Sequence, residues 1–235
     1  MRELLRAGRR AVEGVLVASE RDRSEVVDEI VRLARSRDVP VRFASTEELA
    51  REARTDAHQG VIARAAPLVA VELDRLTEGP TPFLVALDGV TDPHNLGAVL
   101  RSALGAGVTG IVLGQHRAVH VTPTVAKAAA GAIEHLPIAV VPGLPAALSR
   151  LSSRGVWTVG LDADAEQSLE EVAVFDVPVA LVFGAEGRGL GALTRARCEV
   201  VAGIPLKGPL DSLNVSAAAA VACFTVARVR ARPGP

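Results

Sequence analysis

A chain of 235 residues with 49% hydrophobic content can bury a sizeable core, in one large domain or two small ones, and is not a disordered chain. Its 26 basic and 27 acidic residues leave a net charge of −1, so no overall basic balance announces a nucleic-acid partner; only Lys127 and Lys207 are lysines, and the arginine bias suits phosphate recognition but also a GC-rich genome. No apolar run reaches the ~18–20 residues that span a bilayer, MRELLRAGRRAVEG lacks the apolar segment and cleavage site of a secretory signal, and Cys198 and Cys223 sit in apolar surroundings without a CxxC, which points to a reduced, cytoplasmic setting and structural thiols.

The first part of the chain, residues 1–64, reads as a small α/β module. GVLVA (14–18) predicts a buried strand, and residues 24–37 place Val26, Val27, Ile30, Val31 and Ala34 on one helical stripe. VPVRF (39–43) predicts a second strand. STEE (45–48) has the form of a capping box opening a short helix. His58-Gln59-Gly60 predicts a turn before a last strand at 61–63. The arginines here are interleaved with acids, consistent with a solvated face or with an RNA-touching surface.

Residues 65–82, with Pro67, Gly79, Pro80 and Pro82, predict a linker. Beyond it the apolar runs FLVALDG, GIVLG, LPIAVV, GVWTVG, VPVALVFG and CEVVAGIPL resemble fully buried strands. Helix-like stretches at 96–105, 123–131 and 144–153 lie between them. This alternation predicts a parallel sheet with helices on both faces over residues 83–230. Residues 231–235 form a basic, proline-containing tail. Trp157, in an apolar run, is assigned to the core.

Parallel sheets bind ligands at the carboxyl ends of their strands, so the loops after the apolar runs hold the candidate chemistry. In DGVTDPHNLGAVLRSALGAG (88–107), Asn95 either caps the following helix or serves a site; Arg101, among Val99, Leu100, Ala103 and Leu104, either snorkels outward or meets an anion. In VFGAEGRGLG (182–191), four glycines permit close backbone approach, and Glu186 stands among them directly after an apolar strand. It is neither a dinucleotide fingerprint nor a Walker loop. In LKGPLDSLNVSAAAAV (206–221), Asp211, Ser212 and Asn214 stand at the mouth of an alanine-rich helix, as caps or as part of a site. His116 and His120 are spaced i, i+4 but lack a zincin glutamate and a third ligand, so no metal site is assigned. No serine sits in a nucleophile elbow.

DGVTDPHNLGAVLRSA, LVFGAEGRGL and IPLKGPLDSLNVSAAAA together resemble, in order and spacing, the three motifs of the SpoU (TrmH-type) 2′-O-ribose RNA methyltransferases of the SPOUT superfamily, in particular the bacterial enzymes acting on a guanosine ribose of 23S rRNA. The N-terminal module, ending in HQGVIA, resembles that family's small RNA-binding domain, although its start looks shortened. The resemblance implies a C-terminal deep trefoil knot, a rare exception to unknotted topology. It also implies S-adenosylmethionine held by backbone groups at Gly184, Ile204 and Leu213, and a homodimer with the site near the subunit interface. The family's functional side chains match Asn95, Arg101, Glu186, Ser212 and Asn214. Local positive charge at Arg6, Arg9, Arg10, Arg101, Arg117, Lys127 and Lys207 is the candidate RNA surface, with Arg9, Arg10, Arg117 and Lys127 as the chosen contacts; no DNA or membrane partner is implied. The rival expectations are a tRNA or antibiotic-resistance rRNA methyltransferase and a non-catalytic ribosome-assembly protein.

Overall fold

The computed structural model describes residues 1–19, 24–53, 58–115 and 122–232. The chain divides into two units, Met1–Leu68 and Val69–Pro235.

The first unit contains α1 (Arg2–Ala7), β1 (Val12–Ala18), α2 (Glu25–Arg35), β2 (Val41–Ala44), α3 (Thr46–Ala53) and β3 (Val61–Ala65). The strand β1 is central, parallel to β2 and antiparallel to β3. The hydroxyl of Ser24 accepts the Val27 N–H and starts α2. Val27, Ile30, Val31 and Ala34 then pack against Leu5, Val15 and Val17. Val26 departs from the expected stripe: it is 50% exposed, one residue and about 100° round the helix from Val27. Ser45 Oγ accepts the Glu48 N–H at 3.2 Å, but the Glu48 carboxylate pairs with Arg42 at 2.7 Å instead of completing the box. Arg6 and Arg64 are likewise paired, with Glu29 and Glu52.

The second unit begins with a 3₁₀ turn, Leu73–Thr77, inside the stretch expected as linker; Leu73 and Leu76 are buried in this unit's core. It continues with β4 (Phe83–Leu87), α4 (Pro93–Gly105), β5 (Gly110–Gly114), α5 (Pro123–Ala128), β6 (Ile138–Val141) and α6 (Leu144–Ser152). Then follow β7 (Trp157–Leu161), β8 (Gln167–Ser168), β9 (Val179–Phe183), α7 (Ala192–Arg195), β10 (Val200–Gly203) and α8 (Val215–Arg230). The strands form one parallel sheet in the order β6-β5-β4-β9-β7-β10-β8. Every residue of β4 and β9 is buried, as central strands covered on both faces require. On one face Leu84, Ala86, Ala180 and Val182 pack with Leu144, Leu148 and Leu151 of α6. The helices α4 and α8 pack together, and α8 contacts β9.

Trp157 is not core. It is 41% exposed, although Val156 before it and its cross-strand partner Val179 are buried. At the same end of the sheet, the Arg230 guanidinium donates to the carbonyls of Phe175, Thr81 and Val177 at 2.8, 2.8 and 2.6 Å and lies 5.1 Å from the Phe83 ring centroid. It fastens the last turn of α8 to the chain entering β4 and β9. Both thiols behave as structural groups: burial pushes Cys198 up to about 11 and Cys223 up to about 12.

Candidate active site

The carboxyl ends of β4, β7, β9 and β10 open into the four loops that line the candidate site. The α4 cap is Asp92, whose Oδ1 accepts the His94 N–H at 2.9 Å, with Pro93 at the first helical position. Asn95 is thereby released from capping. It lies within the first turn at 9% exposure, where its amide must find side-chain partners. Its Nδ2 donates to Glu186 Oε2 at 2.9 Å and its Oδ1 accepts from Asn214 Nδ2 at 3.0 Å. Asn214 Nδ2 also donates to Glu186 Oε1 at 3.0 Å. Three residues far apart in sequence thus close a ring in which the Glu186 carboxylate only accepts, Asn214 only donates and Asn95 does both.

The start of helix α8 shows which of Asp211, Ser212 and Asn214 is the cap. Its cap is Asn214, not Asp211: Asn214 Oδ1 accepts the Ser216 N–H at 2.9 Å and the Ser216 hydroxyl at 2.6 Å. Facing these donors fixes the amide orientation, so Nδ2 must point to the acceptors Asn95 Oδ1 and Glu186. Two helix N-termini, each a partial positive charge, adjoin the single carboxylate between them.

The turn 185–189 divides two cavities that share Ala185, Glu186, Arg188, Gly189 and Val215. Ala185 and Gly189 pair across it, and Gly184 precedes it in the tightest contact of the site: a Cβ there would lie 2.0 Å from the carbonyl carbon and oxygen of Gly189. One cavity, of about 490 Å³, is lined by Asp88, Thr91, Asp92 and Asn95. The other, of about 570 Å³, is lined by Gly184, Ile204, Ser212, Leu213 and Asn214. Of the expected residues, Asn95, Glu186 and Asn214 are therefore bonded to one another, and Ser212 and the three expected backbone contacts line the second cavity. Arg101 is set apart. It is exposed on α4 and lines neither cavity, since six residues beyond Asn95 is about 240° round the helix and about 9 Å along it.

Asp88, at the end of β4, was not among the expected site residues. Its Oδ2 accepts the Gly191 N–H at 3.1 Å, joining the loops after β4 and β9. The only sequence sign of it is an acid closing an apolar strand. Among the expected RNA contacts, Arg9 is exposed, Arg10 donates to the Ala66 carbonyl at 3.0 Å, and Lys127 is exposed in the last turn of α5. Arg117, with His116 and His120, lies outside the described residues. Among the described residues no group of three His, Cys, Asp or Glu side chains is placed to hold a metal ion, and no helix is long and apolar enough to cross a membrane.

Residues 82–224 match the model of the SpoU rRNA methylase family, and residues 1–69 match that of the RNA 2′-O ribose methyltransferase substrate-binding domain. The chain belongs to the SpoU rRNA methylase family. It is 45% identical over 217 residues, 91% of this chain and 86% of the relative, to the 23S rRNA (guanosine-2′-O-)-methyltransferase RlmB of Ralstonia nicotianae. It is 41% identical over 221 residues to RlmB of Xylella fastidiosa, covering 92% and 88% of the two chains. In fold it is similar to the SpoU methyltransferase AviRb of Streptomyces viridochromogenes, crystallised with AdoMet, at a TM-score of 0.81 over 97% of this chain and 86% of that one, with 24% identity.

Proposed function

We propose that this chain transfers the methyl group of S-adenosylmethionine to the ribose 2′-hydroxyl of a guanosine in 23S rRNA. The observation that carries the reading is the ring of Asn95, Glu186 and Asn214 standing between two cavities at the carboxyl ends of the strands. The second cavity fits the donor: Gly184 admits no side chain, and Ile204, Leu206 and Leu213 offer apolar wall beside free backbone groups. Bound there, S-adenosylmethionine supplies an electrophilic methyl on a sulfonium that departs uncharged. As the O–CH3 bond forms and the S–CH3 bond breaks, the hydroxyl proton passes to solvent water, and the protein's share is positioning. Asn95 and Asn214 hold Glu186 and, with Ser212, orient the ribose.

Arg101 clamps the target phosphate rather than taking the proton, because a guanidinium stays protonated in proteins. Its distance from the ring fits the homodimer expected of the family. The outer face of α8 leaves Val221 and Phe224 at 42% and 44% exposure beside α4. A second copy seated on this face brings its own Arg101 to the ring. The trefoil knot belongs to the same reading, with the loops after β9 and β10 forming the donor site. Arg9, Arg10, Arg117 and Lys127 serve as RNA contacts, and the N-terminal unit's match to a substrate-binding domain favours rRNA over tRNA. Buried, protonated thiols suit the cytoplasm where rRNA is modified.

The test is transfer of labelled methyl to 23S rRNA and to tRNA, with the position mapped. Label in one rRNA ribose, abolished in Asn95→Ala, is expected; label only in tRNA replaces the substrate, and no label in either refutes the reading. An inactive Arg101→Ala chain mixed with an inactive Asn95→Ala chain regains activity if the arginine acts across the dimer.

A further inference from the structure

The cavity on the Asp88 side of the ring differs in character from a phosphate site. Its charged lining is Asp88, Asp92 and Glu186 against the single Arg188. A phosphodiester entering it meets net negative charge, whereas a group that presents N–H donors meets acceptors. The three carboxylates are not equally available. Both oxygens of Glu186 accept from the amides of Asn95 and Asn214. Asp92 is committed to capping α4 through Oδ1 and is exposed. Asp88 is half-buried, and the bond from the Gly191 N–H to Oδ2 fixes its carboxyl plane. Among the described residues its Oδ1 accepts no hydrogen bond.

We infer that this cavity receives the base of the target nucleotide and that Asp88 reads it as guanine. The inference rests on the methyltransferase reading above and adds the element of base choice. The chemistry that selects guanine is its Watson–Crick edge, where N1–H and the exocyclic N2 amine lie side by side as donors. Adenine presents an acceptor at N1, cytosine at N3, and uracil has a single ring donor between two carbonyls. A carboxylate oxygen held in place by a backbone N–H accepts from the guanine edge in a charge-assisted hydrogen bond. The same oxygen repels the ring acceptor of adenine. At about 490 Å³ the cavity has room for a purine, with Val90 and Val215 as apolar wall and Arg188 as a guanidinium plane for stacking.

Asp88→Asn is the informative substitution. The amide oxygen still accepts from Gly191, so the loop junction is kept, but the free position becomes an N–H donor facing the donors of guanine. The substrates are the shortest 23S rRNA fragment methylated by the wild type and its counterparts with inosine or adenosine at the target position. For the wild type, kcat/KM falls from guanosine to inosine, which lacks the N2 amine, and further to adenosine. In Asp88→Asn the guanosine-over-adenosine ratio drops by about 10–100-fold, while S-adenosylmethionine binding measured by calorimetry is unchanged, because Asp88 does not line the donor cavity. A wild-type enzyme indifferent to the base overturns the pocket without any variant being needed. An Asp88→Asn enzyme that keeps the wild-type ratio overturns Asp88 as the reader. A wild type that methylates no RNA refutes the methyltransferase reading itself, a result distinct from both.

Discussion

Asn214 carries two separable loads, and three substitutions divide them. Its Oδ1 caps α8 through the Ser216 N–H, and its Nδ2 holds Asn95 and Glu186. Serine keeps a capping oxygen but cannot hold both acceptors; alanine removes everything. The cap is worth about 1 kcal/mol. The half-buried bond to Asn95 adds about 0.5–1 kcal/mol, and the exposed bond to Glu186 little after screening. With about 2–4 °C per kcal/mol for a domain of this size, Asn214→Ser melts about 1–4 °C below wild type, and Asn214→Ala a further 2–4 °C below that. Activity divides differently. Both variants lose the donor that holds Glu186, so both lose about 10²-fold in kcat/KM whatever their melting temperatures.

Asn214→Asp supplies the sign test. It keeps the cap and places a second carboxylate against Glu186, and like charges in contact raise the pKa of the pair. Below that raised value one carboxyl is protonated and donates as the amide did. The activity of Asn214→Asp relative to wild type therefore climbs as pH falls. Calorimetric melting and methyl-transfer assays across pH measure both quantities. Wild-type turnover in Asn214→Ser, or a relative activity of Asn214→Asp that falls with pH, would refute the ring as the functional unit.

Gly184→Ala drives a methyl into the Gly189 backbone at 2.0 Å; the turn must shift, and we expect S-adenosylmethionine affinity by calorimetry to fall at least tenfold while Gly187→Ala, facing open space at φ 74°, loses only the roughly 1–2 kcal/mol of left-handed strain. Arg230→Ala removes three short bonds to carbonyls and the contact with Phe83, an expected loss of about 2–3 kcal/mol in urea unfolding that Arg230→Lys restores only in part, since an ammonium cannot span the same carbonyls. The thiols set an alkaline limit. Their folded pKa values, about 11 for Cys198 and about 12 for Cys223, lie above the ordinary 9.0, so their contribution is fully present below pH 9 and is lost as pH rises toward those values; unfolding curves between pH 8 and 11 measure the decline, and a thiol reagent at pH 8 should label neither cysteine until the chain unfolds.

The sheet was legible because a central parallel strand is apolar at every position, and FLVAL and VALVF have no other soluble use. What stayed hidden has physical reasons. Gln167–Ser168 and Ala192–Arg195 are too short to show any periodicity. The insertion of β9 between β4 and β7 is a tertiary choice that no local pattern encodes. Trp157 misled because an apolar window does not say which of its residues is left uncovered: Val156 and the partner Val179 are buried while Trp157 is not. Arg101 shows the limit of a motif: its presence is legible, but helical phase carries it away from Asn95, so sequence proximity gave no spatial proximity within one chain. Asp88 drew no attention because a single acid after a strand is usually a solvated loop charge, and only the bond to Gly191, about a hundred positions on, distinguishes it.

At Asn214 one side chain both caps a helix and bonds Glu186, whereas at α4 the cap belongs to Asp92 and not to Asn95, and the geometry of parallel sheets explains why. Strands of such a sheet end where the following helices begin, so the carboxyl edge of the sheet is also a row of helix N-termini. Residues there must satisfy orphan N–H groups with a short oxygen-bearing side chain. Aspartate and serine meet that need but have nothing suited to holding a carboxylate at neutral pH in the same orientation. Asparagine does: with its oxygen turned to the helix, its two N–H groups are aimed away from it, at the acceptors beyond. At Asn214 those acceptors are Asn95 and Glu186. The α4 terminus solves the problem with a division of labour, Asp92 capping and Asn95 bonding the carboxylate three residues later. An amide at 214 and an acid at 92 are therefore not interchangeable, although either satisfies a helix. Exchanging them, Asp92→Asn with Asn214→Asp, preserves both caps and the net charge yet sets two carboxylates together in the ring, and it should leave a folded, inactive protein.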